Sequence, residues 1–224
     1  PLALTLDELT AVESAASESS SILCVGFNRR YAPSVLLAQQ LLRQRSGPLT
    51  VAITVNAGAL PADHWTKDPL VGGGRIVGEG CHFIDLARGL ISAPIESLQV
   101  TPAGGGSGVI EDISTMQLRF GDGSIASIQY ISSGHRRFPK ERVEMFWDGR
   151  ILRIDNFRRV QGFGVKIPRS QRAGKLDKGH TALVRAFLEA VRKGEASPIA
   201  LDELLEVSRW SIIAGLRARG ISAP

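Results

Sequence analysis

Up to about residue 91 the apolar positions switch between helical spacing and short unbroken runs. Residues 5–19 place Leu6, Leu9 and Val12 at helical intervals, with Thr5 positioned to cap them and Asp7 and Glu8 in the first turn. Ser19, Ser20 and Ser21 end that element. The run "ILCVGF" at 22–27 has the pattern of a strand buried on both faces. The segment 31–47 predicts a helix, with Pro33 in its first turn and Gly47-Pro48 as its stop. "LTVAITVNA" at 49–57 alternates and is β-branched, hence a strand. A polar loop at 58–71 carries Asp63, His64 and Trp65, and Gly72, Gly73 and Gly74 then lead into a helix over 75–91.

From residue 95 the period shortens. Alternating segments at 95–102, 113–120, 124–132, 142–148 and 150–155 predict an antiparallel meander, with Asp122-Gly123 and Asp148-Gly149 as tight hairpin turns. The stretches 132–140 ("SSGHRRFPK") and 158–178 read as polar or basic loops, and "GGGSG" at 104–108 as a flexible one. Two helices close the chain, at 180–193 and 201–218. The predicted fold class is α+β: a large, mostly antiparallel open sheet with helices on one face, preceded by a helix-strand piece of an α/β unit. The uncovered face must be wet or paired with another subunit.

Composition narrows the partners. Hydrophobic residues make up 43% and charged residues 22%, ordinary for a soluble globular chain. No apolar run approaches the ~18–20 residues of a membrane span, and the first ten residues lack the basic flank of a secretory signal. With no starting Met, the expectation is a fragment or a processed product. Cys24 and Cys81 read as reduced thiols of a cytoplasmic protein. The net charge of +5 comes from scattered basic residues without interleaved aromatics, which argues against nucleic acid.

The candidate chemistry lies in "GGGRIVGEGCHFID" at 72–85. On a helical wheel Ile76, Val77, Gly80, Ile84, Ala87 and Ile91 share one side. Arg75, Gly78, Glu79, His82 and Asp85 share the other, which predicts a face turned to a ligand pocket. Glu79 and His82 are neighbours at i, i+3, and a carboxylate there would raise the histidine pKa from its usual value near 6.5. A bland reading satisfies His82 from Glu79 or a backbone carbonyl. A metal site is the third option, disfavoured because Cys81 points away and no HxxxH or CxxC spacing is present, so no metal ligands are assigned.

"VGFNRRYAP" at 25–33, "VNAG" at 55–58, "DPLVGGGRIVGEGCHFIDL" at 68–86 and "PIALDELLEVSRWSIIAGL" at 198–216 together resemble the Gfo/Idh/MocA oxidoreductases. With "NAGALPADHW" and "FPKERVEMF" the likeness is to their sugar and polysaccharide-biosynthesis branch. The resemblance implies a Rossmann domain binding NAD or NADP, followed by an α+β domain that pairs subunits into a homodimer or tetramer. It divides this chain into a Rossmann remnant at 1–30 and a substrate and dimerisation domain at 31–224. It implies hydride transfer with a sugar, sugar-nucleotide or polyol hydroxyl, with His82 as acid/base and Glu79 as the nearest acid, because the family aspartate position is Gly78. By the same likeness Asn56, Asp63, His64 and Trp65 touch substrate, and Asn28 and Arg29 lie near the cofactor. Bland readings make the first four loop-capping groups and the last two a solvated start of a helix. No G-x-G-x-x-G loop is present, and Pro1 would be the proline of a Glu-Lys-Pro motif. The expectation is therefore a dehydrogenase piece, by itself inactive. The rival class is a non-catalytic module that binds sugars or assembles subunits.

Overall fold

A computed structural model describes residues 1–104, 110–169 and 174–223, so most of the predicted 104–108 loop lies outside the described residues. The first helix, α1 (Leu6–Glu18), carries a full capping box. Thr5 Oγ1 accepts from the Glu8 amide at 3.2 Å, and the Glu8 carboxylate accepts from the Thr5 amide at 3.1 Å. The run at 22–27 is not a strand. No strand of the described chain lies beside it, and only Phe27 is buried. A 3₁₀ turn at Asn28–Tyr31 precedes α2 (Pro33–Leu42), which stops five residues short of Gly47.

The strands are β1 (Thr50–Asn56), β2 (Ile95–Ala103), β3 (Ile110–Phe120), β4 (Ile125–Ile131), β5 (Glu141–Trp147), β6 (Arg150–Asp155) and β7 (Arg159–Phe163). They form one sheet in the order β2-β3-β4-β1-β5-β6-β7. Two features correct the predicted meander. β1 inserts between β4 and β5, parallel to β4 and antiparallel to β5, so consecutive strands β4 and β5 do not pair. β7 arises within the stretch read as a loop: Val160 is its one deeply buried side chain, too little to show as alternation. The Asp148-Gly149 turn joins β5 to β6 with both residues at positive φ, 44° and 71°, as a type I′ hairpin requires.

Between β1 and β2 lie a π turn, Ile76–Gly80, and α3 (Cys81–Ile91); α4 (His180–Lys193) and α5 (Leu201–Ala218) follow the sheet. α5 lies along β2 and β3 and against α3, while α1 packs on α5. Val51, Ile53 and Val55 of β1 and Ala126, Ile128 and Tyr130 of β4 point to this helical side and are buried. The opposite face is open, with its side chains partly or well exposed.

Candidate active site

The segment leading to His82 begins with positive-φ glycines, Gly73 at 71° and Gly74 at 81°, and winds as a π turn before becoming α-helical. The wider turn breaks the 100° wheel at Ile76–Gly80. Arg75 and Asp85, expected on a pocket-facing side, are instead sealed in, at 2% and 0% exposure.

Each is sealed by partners. Arg75 donates to Tyr130 Oη (3.0 Å), the Gly58 carbonyl (2.8 Å) and Glu79 Oε2 (2.7 Å). Tyr130 also donates to Glu79 Oε2 at 2.6 Å, and Lys140 Nζ donates to Glu79 Oε1 at 2.7 Å. Burial pushes the Glu79 carboxyl up, but hydrogen bonds from Lys140, Tyr130 and Arg75 prevail and hold it at about 2. On the other side of α3, Asp85 Oδ1 accepts from Arg30 Nε at 2.8 Å while Asp85 Oδ2 has no partner. Burial raises the Asp85 carboxyl to about 7, against the pull of Arg30.

His82 lies between these networks, half-buried, with the Phe27 ring edge-on at 5.7 Å. Its Nδ1 is buried and unpartnered, so neither Glu79 nor a carbonyl satisfies it. Burial first, and then Arg29, lower its pKa to about 4; Glu79 and Glu141 pull the other way without prevailing. The expected rise is therefore reversed. The imidazole is neutral at pH 7, with one nitrogen free of any internal hydrogen bond.

Asn28 and Arg29 are buried rather than the solvated start of a helix. Asn28 Nδ2 donates to the Lys178 carbonyl at 2.7 Å. Arg29 grips Glu141 with two bonds, at 2.9 and 3.0 Å, and its guanidinium covers the Phe83 ring at 4.6 Å. Lys178 Nζ bonds the same carboxylate, and Gly179 (φ 82°) lets the backbone approach the 3₁₀ turn, because a Cβ there would stand 2.4 Å from the Asn28 carbonyl oxygen.

The four predicted substrate residues divide. Asn56 Nδ2 ties the end of β1 to the His135 and Phe138 carbonyls, at 3.0 and 3.3 Å. His64 Nδ1 meets Thr66 Oγ1 at 2.7 Å, and its ring stacks on Trp65 at 6.0 Å. Trp65 is 61% exposed, and Asp63 is exposed too. The loop that carries them lies on the histidine segment: Thr66 fills the space beside Gly72 and Gly78.

Sequence reasoning missed Tyr130, Lys140, Glu141 and Lys178. A signal existed for two of them. Glu141 alternates with Val143, Met145 and Trp147, which places a carboxylate on the buried face of β5. Tyr130 likewise shares the buried face of β4 with Ala126 and Ile128, where a phenol needs a partner.

Comparison with known proteins places this geometry. Residues 37–147 match the family model of the GFO/IDH/MocA C-terminal domain. Among solved structures, the WlbA dehydrogenase from Bordetella pertussis, in complex with NADH and UDP-GlcNAcA, superposes with a TM-score of 0.77 at 19% identity, covering 99% of this chain and 69% of that one. An oxidoreductase domain protein from Kribbella flavida gives 0.77 at 17% identity, covering 98% and 71%. A levoglucosan dehydrogenase in complex with NADH and L-sorbose gives 0.76 at 16% identity, covering 97% and 69%. At these identities the likeness establishes the fold. No curated protein sequence matches the chain.

Proposed function

The chain carries a GFO/IDH/MocA C-terminal domain over residues 37–147, and from that premise we propose that it is the substrate and subunit-pairing part of an NAD- or NADP-dependent oxidoreductase acting on a sugar, sugar-nucleotide or polyol hydroxyl. The observation that carries the reading is the pairing on one segment of a half-buried imidazole, His82, with a carboxylate, Glu79, that Arg75, Tyr130 and Lys140 hold ionised.

A neutral imidazole has a ring nitrogen that accepts a proton, and because Nδ1 is buried the substrate meets the other edge of the ring. In the proposed reaction the substrate hydroxyl gives its proton to the His82 ring. Glu79, locked by Arg75 and Tyr130, stays ionised and favours the imidazolium that forms. A nicotinamide cofactor, when bound, supplies the hydride acceptor. Asn28 and Arg29, bonded to the Lys178 carbonyl and Glu141, would shape the wall of its site. Trp65, with its exposed ring, and Asp63 are assigned to sugar contact, with His64 holding the turn beneath them.

We further assign residues 1–30 to the end of a dinucleotide-binding domain and 31–224 to the α+β domain. On the open sheet face, Ile125, Phe146 and Phe163 lie in one register row across β4, β1, β5, β6 and β7, each 38–53% exposed. That row supports subunit pairing through this face. Among the described residues no helix is long and apolar enough to cross a membrane, and both cysteines are free, in keeping with a cytoplasmic site.

The rival module reading has one observation in its favour: the Asn28 and Arg29 side chains are buried and bonded to the Lys178 carbonyl and Glu141. Incubating the full-length protein with NAD+ or NADP+ and a panel of sugars decides between them. The enzyme reading expects reduced cofactor and a ketosugar product; binding of a sugar without reduction supports the module.

A further inference from the structure

Charge is unevenly distributed around His82. Glu79 is held by Arg75 and Lys140, and Glu141 by Arg29 and Lys178, so four cations face two carboxylates and two positive charges are left over. The far side of α3 has the reverse balance, Arg30 and Arg88 against Asp85, Glu203 and Glu206, but those groups pair across to α5 and the 3₁₀ turn.

The four cations also differ in freedom. The Arg75 and Arg29 side chains are 2% and 7% exposed and each makes two or more bonds. Lys178 is 18% exposed, and Lys140 is 41% exposed with one partner. If Lys140 swings away, Glu79 keeps both Arg75 and Tyr130. The loop before Lys140 adds exposed Arg136 and Arg137 and a 57% exposed Phe138, and Asn56 pins it to the end of β1.

We propose that the site beside His82 takes an acidic sugar, one bearing a carboxylate or phosphate near the reacting hydroxyl, with Lys140 as its movable counter-charge. This rests on the oxidoreductase reading and narrows its substrate class. An anion there offsets the surplus of the two clusters, and the flexible ammonium follows it without unpairing a buried group. The exposed Trp65 and Phe138 rings offer the apolar surface a pyranose needs.

The test is calorimetric titration of the full-length protein, with NAD+ present, using D-glucose, D-glucuronate and D-glucose 6-phosphate, repeated with Lys140→Gln and Lys140→Arg. At least one acidic sugar is expected to bind about 10-fold or more tighter than glucose, a gap that shrinks with salt, nearly closes in Lys140→Gln and survives in Lys140→Arg. Which acidic sugar wins separates carboxylate from phosphate. Equal binding of glucose, or an undiminished preference in Lys140→Gln, overturns the proposal and leaves the oxidoreductase reading standing. If no sugar binds or is oxidised, that reading fails and this proposal falls with it. Matching thermal unfolding of the Lys140 variants shows that any loss is local.

Discussion

Thr66 Cγ2 stands 2.7 Å from where a Cβ on Gly78 would lie. This contact explains why the residue before Glu79 has no side chain: the loop bearing His64 and Trp65 occupies the space. A side chain at Gly78 must displace the Thr66 methyl, and the acid of this segment is the next residue, Glu79. Gly78→Ala should cost about 1–3 kcal/mol by overpacking, read as a lower urea midpoint. Combining it with Thr66→Gly should cost less than the sum of the two single changes, because the clash is then removed.

Glu79 and Lys140 share a salt bridge, but the two ends differ in burial. Glu79→Gln leaves the 2%-exposed Arg75 guanidinium short of its counter-charge and should cost about 3–5 kcal/mol. Lys140→Gln removes a 41%-exposed ammonium and should cost under about 1 kcal/mol. Chemical unfolding of the two variants measures the asymmetry. Equal costs would mean that Arg75 does not depend on Glu79.

The segment 72–85 shows what sequence conveys about the site and what it withholds. Titratable groups interrupting an apolar helix single out His82 and Glu79 as candidates. The contact expected between them is not made, because the expectation assumed α-helical spacing through residues that wind as a π turn, and because both Glu79 oxygens are taken by Arg75, Tyr130 and Lys140. Two of those partners, Tyr130 and Lys140, lie 51 and 61 residues away along the chain. The fold divides similarly. The capping box at Thr5 and the alternation of most strands are local and were readable. The insertion of β1 between β4 and β5 is settled by long-range pairing, and the apolar run at 22–27 was misleading because a strand needs a neighbour as well as a pattern.

Acid should expose the strain on His82. Its pKa is about 4 in the folded chain against 6.5 in a free side chain. Between those values the unfolded chain binds a proton that the folded one does not, so the His82 contribution to stability is present above pH 6.5 and is lost as pH falls toward 4. Asp85 has the opposite slope: its carboxyl is raised from 3.8 to about 7, so its contribution is lost as pH rises through that range. The two partly cancel in the wild type, and the comparison with His82→Gln separates them. The stability gap between wild type and variant should move by about 1–3 kcal/mol in favour of the variant between pH 6.5 and 4. Thermal melts across that range check it.

Gly134 is fixed by Asn56. A Cβ there would lie 1.9 Å from Asn56 Oδ1, so Gly134→Ala must displace the side chain that ties β1 to the loop carrying Phe138. The expected outcome is faster amide hydrogen exchange confined to residues 132–140, with little change in the rest of the sheet.

The central claim is that His82 takes the proton of the reacting hydroxyl. It is tested most directly by kcat/KM for sugar-dependent cofactor reduction in the full-length protein with His82 replaced by alanine. A fall of about 10²-fold or more, with sugar affinity little changed and unfolding close to wild type, is the predicted result. A variant that turns over within a few-fold of the wild type would contradict the account.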